Sequence, residues 1–288
     1  MIERRPSPPP ETFLSHYLVP HRPVVFTDAM DRWEARTKWT PAAFRERFGS
    51  KLVQVYDDLF KLTSLSPLSQ YLDRYFDAPP DAARSPGPVP YVRWYTRLRA
   101  LDRFPWADEV FRQLREEWSL PPFLPEDGYL LPFCPPGRRI SPNTTPFPAR
   151  GLFISARGCR TRLHKDPWQS DAILCQLHGR KRFVLYEPSQ APLLTQGTEV
   201  VDLDAPDLER FPRFPEARPF VDFELEPGET LLIPQGWYHQ ADTRSDSISL
   251  TWNFVHQATW PDFARYLTSA PPQAELDTLT YFSGPHES

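Results

Sequence analysis

Thirty-six prolines in a chain of 288 residues, against only 11 glycines, restrict the fold more than any other feature of this sequence. Proline belongs at turns, edges and helix starts, not in helix interiors or central strands. The chain therefore reads as short elements joined by irregular connections. From about residue 121 to 257 the runs GLFISAR, DAILCQLHG, KRFVLYEP, ETLLIP and SISLTWNFV are β-prone and separated by Pro, Gly and Asp turns. Many strands of this kind predict a barrel or double-sheet jelly roll.

Ahead of that region the sequence mixes elements. RPVVFTDAM, KLVQVYD and YVRWYTR read as strands, and PPETFLSHYL and SPLSQYLDRYF as short helices. WTPAAFRERFG has Thr40 at the N-cap, Pro41 in the first turn and Gly49 just past the end. DEVFRQLREEW, 108–118, spaces Val110, Phe111, Leu114 and Trp118 along one helical face. The stretch 77–90 reads as a loop. The expected organisation is a mobile Pro-rich lead-in (1–10), an α/β flanking region (11–120), a β core (121–260) and a helical tail (261–288) that closes the core or forms a homodimer.

Composition narrows the class. Aromatic residues at 14% argue for a packed core. A net charge of −4 and a pI near 6.0 predict no nucleic-acid partner, and the basic clusters Arg138–Arg139 and Arg157 to Arg162 are brief. No apolar run is long enough to cross a bilayer, so no membrane partner is expected. MIERRPSPPPETF lacks a signal-like apolar run, and Cys134, Cys159 and Cys175 form no CxxC pair. A cytoplasmic location is the expectation.

One short stretch carries chemistry. In RLHKDPWQSD, His164 and Asp166 lie two apart, so an extended strand points both side chains to one side. His239, in PGETLLIPQGWYHQAD, has the best context for a third ligand from a distant strand. Two histidines and a carboxylate with open positions form the facial triad of non-haem Fe(II) oxygenases, whereas structural zinc prefers a closed four-ligand set.

The order HKD, GRKRFVLYEP, PGETLLIPQGWYH, SISLTWNF resembles the Jumonji-C branch of the cupin superfamily. More narrowly, it is similar to the cupin-like protein hydroxylases related to the asparaginyl hydroxylase of hypoxia-inducible factor. FLSHYLVPHRPVVFTDAMDRWEARTKWTPAAFRERFG and VDLDAPDLERFPRF extend the resemblance over roughly residues 11–260. The resemblance implies a mainly β chain with flanking helices around a double-stranded β-helix core, using Fe(II) and 2-oxoglutarate. It gives His164, Asp166 and His239 as iron ligands and Lys181 as the partner of the distal carboxylate of 2-oxoglutarate. The rival register points Lys181 outward and Arg180 or Arg182 inward.

Thr161 and Tyr95 match further co-substrate contacts, with Tyr91 as a rival to Tyr95. Asn253 matches a residue near the metal end or is a buried amide satisfying strand edges. Trp168, Trp237 and Tyr238 either wall the pocket or fill the barrel mouth. The 17-residue step from His164 to Lys181 resembles the lysine-hydroxylating branch, and Ser170 and Asp171 stand where some relatives place asparagine. The function implied is hydroxylation of an amino-acid side chain in a protein or peptide. The alternatives are an oxygenase for a free amino acid or small metabolite, and a cupin-like binding protein without oxygen chemistry.

Overall fold

The computed structural model describes residues 1–76, 88–98, 104–134 and 137–283. Most of the loop read at 77–90 lies outside them. Two sheets face each other across an apolar core, the expected jelly-roll arrangement. The larger has ten strands and is centred on Thr230–Ile233, Asp171–His178, Ser247–His256 and Gly151–Ser155. The smaller runs Val221–Leu225, Lys181–Tyr186, Tyr238–Thr243, Arg160–His164 in spatial order. Ala172, Leu174, Leu231 and Ile233 of the large sheet meet Phe183, Leu185, Phe223 and Leu225 of the small one. Alternation along each strand puts these residues on the inner faces, and burying them supplies much of the driving force.

The five β-prone runs all form strands. The GWYH return, read as a turn, runs on as the strand Tyr238–Thr243. The N-terminal region extends the large sheet at both edges: Val24–Phe26 pairs with Thr230–Ile233, and Tyr91–Tyr95 pairs with Gly151–Ser155. The lead-in was expected to be mobile, but Arg4–Arg5 adds a parallel edge strand and Ile2 is buried in the inter-sheet core. Arg4 also pairs with Glu229, so backbone and charge fix this segment together.

Helix Pro41–Phe48 follows the reading, with Thr40 Oγ1 accepting from Ala43 N. Gly49 is right-handed, and its role is close approach: a Cβ there would strike the Arg45 carbonyl oxygen at 2.3 Å. The helix expected over 108–118 is Asp108–Leu114. Glu117 is drawn out of helical pairing by tertiary bonds, accepting from Ala35 N on its carbonyl and from Trp39 Nε1 on its carboxylate. Trp118 is buried all the same, 5.8 Å from Trp33 and from Trp252 by ring centroid. The tail forms two helices, Trp260–Thr268 and Gln273–Ser283. Phe263, Leu279 and Phe282 of those helices pack on Trp168, Leu131 and Val255. No helix among the described residues is long and apolar enough to cross a membrane.

Candidate metal and co-substrate site

His164 ends one strand of the small sheet and His239 is the second residue of its neighbour, and the two are paired directly in the antiparallel register. Their ring centroids are 4.1 Å apart. Each Nδ1 faces a backbone carbonyl two residues back: Arg162 O at 2.8 Å for His164 and Trp237 O at 3.2 Å for His239. A carbonyl only accepts, so Nδ1 carries the proton and Nε2 keeps its lone pair for a metal. Burial, with the adjacent His239, drives the His164 pKa well below its usual value, which favours the neutral ligating form. Asp166 Oδ1 lies 4.0 Å from His164 Nε2, and one ligand atom from each of the three residues falls within 4.8 Å of the others. That donor set, nitrogen–nitrogen–oxygen with an open side, fits Fe(II).

The triad borders a cavity of about 300 Å³ between the sheets. On the metal side Lys165 is exposed and Asp166, Pro167 and Phe60 are partly so. Lys181, further in, is 4% exposed. Its strand settles the register question: Lys181, Phe183 and Leu185 face inward, while Arg182 faces outward and pairs with Asp222 and Asp242. Burial pushes the Lys181 ammonium down to about 7. No carboxylate of the described residues forms an ion pair with it, so the strand holds a lysine that lacks an anion. A dicarboxylate fits that gap.

Thr161 also lines the cavity. Three residues before His164 it would fall on the opposite face of a regular strand. A register shift between His239 and Ala241 brings both to the same side. Tyr95 lines the cavity, whereas Tyr91 stands behind it and its hydroxyl accepts from Thr161 Oγ1 at 2.9 Å. Gly151 makes room for Tyr95, since a Cβ there would lie 2.8 Å from the ring. Asn253 lines the cavity too, and its Nδ2 donates to Ser170 Oγ, which donates in turn to Pro167 O. Asn253 thereby ties the turn after Asp166 to the large sheet. Asp171 lies outside the cavity, with Oδ1 accepting from Gln235 N, and burial raises its carboxyl to about 8.

Of the three aromatics singled out in the sequence, Trp168 alone lines the cavity. Trp237 donates to His21 O within the inter-sheet core, and Tyr238 belongs to an outer apolar cluster. Among the lining residues that the sequence reading does not single out are Phe60, Arg93 and Phe153. Arg93 was findable, because alternation in YVRWY places it on the same face as Tyr91 and Tyr95.

Lined by a histidine–aspartate–histidine set and a buried lysine, this cavity agrees with an independent comparison: a profile for the cupin-like domain matches residues 65–259. The chain belongs to the cupin-like domain family. Among curated relatives, the 2-oxoglutarate and iron-dependent oxygenase JMJD4 of Gallus gallus is 25% identical over 266 residues, 85% of this chain and 57% of the relative. Lysine-specific demethylase 8 of Xenopus tropicalis is 26% identical, over 84% of this chain and 51% of the relative. The tRNA wybutosine-synthesizing protein 5 of Danio rerio is 30% identical, over 80% of this chain and 67% of the relative. The chain thus spans about half the length of most of these larger proteins. Within the family, the geometry here fits iron and 2-oxoglutarate.

Proposed function

We propose that this cupin-like chain is an Fe(II)- and 2-oxoglutarate-dependent oxygenase that hydroxylates an amino-acid side chain in a protein or peptide. One observation carries the reading: a three-ligand metal set and a buried, unpaired lysine share one cavity. His164, Asp166 and His239 hold the metal. Lys181 binds the distal carboxylate of 2-oxoglutarate through a charge-assisted contact, with Thr161 and Tyr95 beside it. Ala172, Leu174, Phe183 and Ile233 exclude water from the chamber, which strengthens that contact. Asn253 and Ser170 fix the turn that aims Asp166. Bound there, the iron and 2-oxoglutarate supply the oxidising chemistry, with succinate and CO2 as co-products. A cytoplasmic setting belongs to the same proposal.

The test is spectroscopic. Fe(II) and 2-oxoglutarate added to the metal-free protein without oxygen should produce the weak visible charge-transfer band of a chelated keto acid. His164→Ala and Asp166→Ala should abolish it. Metal binding with no band would defeat the oxygenase reading and favour a cupin-like binding protein.

A further inference from the structure

Three basic side chains line the cavity; Lys165 is exposed to solvent, which leaves two inner cations, Arg93 and Lys181, and the co-substrate has a use for only one of them. Arg93 lies directly opposite Phe153 across the ladder between Tyr91–Tyr95 and Gly151–Ser155. Its guanidinium carbon is 4.3 Å from the ring centre of Phe60 and 4.9 Å from that of Phe153. Tyr56, Tyr91 and Tyr95 close the surround at 5.3 to 5.9 Å. Lys181 flanks the same Phe153 ring, with Nζ 5.7 Å from its centre. Rings stabilise a guanidinium through its faces but accept little from its in-plane N–H groups. Nε is buried without a partner, and no carboxylate among the described residues forms an ion pair with this side chain. An arginine stays charged at any working pH, so this is a permanent cation with unfilled donor positions.

Charge counting says what is missing. In the loaded site, with the solvent-screened Lys165 set aside, the two positive charges of Fe(II) and the one on Lys181 cancel the carboxylate of Asp166 and the two of 2-oxoglutarate. The charge of Arg93 is left over. We propose that Arg93 is the substrate-binding cation of the cavity, and that the group it receives is a carboxylate. The substrate then carries an acidic group next to the carbon that is oxidised. A lysine or arginine side chain, which the names of several relatives would suggest, would instead bring another cation into a chamber that already has a surplus. A carboxylate matches both the single charge and the planar fork of the guanidinium, whereas a phosphate dianion overshoots the charge. This inference rests on the oxygenase reading of the same cavity and sharpens its substrate class.

The experiment is a binding series on protein loaded with Fe(II) and 2-oxoglutarate without oxygen, read by calorimetry and by perturbation of the visible band. The probes are N-acetylated, C-amidated aspartate, glutamate, asparagine, glutamine, lysine and arginine, with free aspartate and glutamate alongside. The acidic probes should bind at least about tenfold more tightly than their amides, and the basic probes more weakly than either. Arg93→Met should remove the acid-over-amide preference while leaving 2-oxoglutarate binding in place, and Arg93→Lys should keep part of it. Comparing blocked with free acids tells a polypeptide source from a small acid, and either satisfies the proposal. Three results overturn it: basic probes bind as tightly as acidic ones, no acid binds at millimolar concentration, or Arg93→Met loses 2-oxoglutarate while still binding iron. The last would make Arg93 part of the co-substrate anchor. If Arg93→Met does not fold, the wild-type ranking of probes still decides. Failure of the oxygenase reading is seen separately, as no 2-oxoglutarate binding before any probe is added, and the calorimetric ranking is then read on the metal-loaded protein.

Discussion

Lys181 shows how one buried charge connects sequence to function. A lysine followed by alternating Phe183 and Leu185 can face the core only if an anion joins it, and the strand does turn it inward. With its ammonium pushed down to about 7 by burial, the unliganded side chain is largely neutral above that pH. A carboxylate binds the protonated form. Above pH 7 binding must therefore take up a proton, and affinity should fall by up to about tenfold per pH unit. Below pH 7 the lysine is already charged and that dependence should flatten. Calorimetry of 2-oxoglutarate binding to the metal-free protein in buffers of different ionisation enthalpy would count the proton directly. Lys181→Met should weaken 2-oxoglutarate binding by roughly 10- to 100-fold and leave iron affinity intact. Equal loss of both would mean that the substitution disturbs the fold instead.

At the scale of elements, the metal site depends on the C-terminal helices. The turn after Asp166 runs through Trp168 and Gln169, both at positive φ, which is unfavourable for non-glycine residues and needs outside support. Glu275 on helix Gln273–Ser283 supplies part of it, its Oε2 accepting from Trp168 N at 3.1 Å and from the Tyr266 hydroxyl at 2.5 Å. Glu275→Ala should cost about 1–3 kcal/mol in urea unfolding and weaken iron binding several-fold through a looser Asp166. Unchanged iron affinity would show that the turn holds itself. Much of this site was legible in the sequence because its signals are local: HKD is three residues, GRKRF five, and the β-prone runs each announce themselves. What stayed hidden depends on long-range contact. Phe60 approaches His164 from a hairpin about a hundred residues earlier in the chain, at a ring distance of 4.5 Å. The strand after Tyr238 was missed because a glycine and a proline just before it read as a turn, while its pairing to Lys181–Tyr186 is set by tertiary contact. The lead-in was read from proline content alone, which says nothing of the sheet edge that Arg4–Arg5 joins.

For the whole molecule, the ligands are distributed so that metal binding and folding are coupled. His164 and His239 belong to the small sheet, while Asp166 lies on the segment that crosses to the large sheet at Asp171–His178. That crossing is held in turn by Asn253 of the large sheet and by the C-terminal helix. Without a metal, the side chains of His164, His239 and Asp166 meet with nothing to draw them together, and the small sheet is fastened to the large one mainly by apolar contacts. A metal that binds this native geometry and not the unfolded chain adds stability by mass action, about 2.7 kcal/mol at a concentration 100 times its dissociation constant. For a chain of this size that corresponds to a rise in Tm of roughly 4 to 5 °C. The rise should appear on adding Fe(II) without oxygen, grow logarithmically with metal concentration, and vanish in Asp166→Ala. An equal rise in that variant would place the metal elsewhere, and the coupling of the two sheets through this site would have to be abandoned.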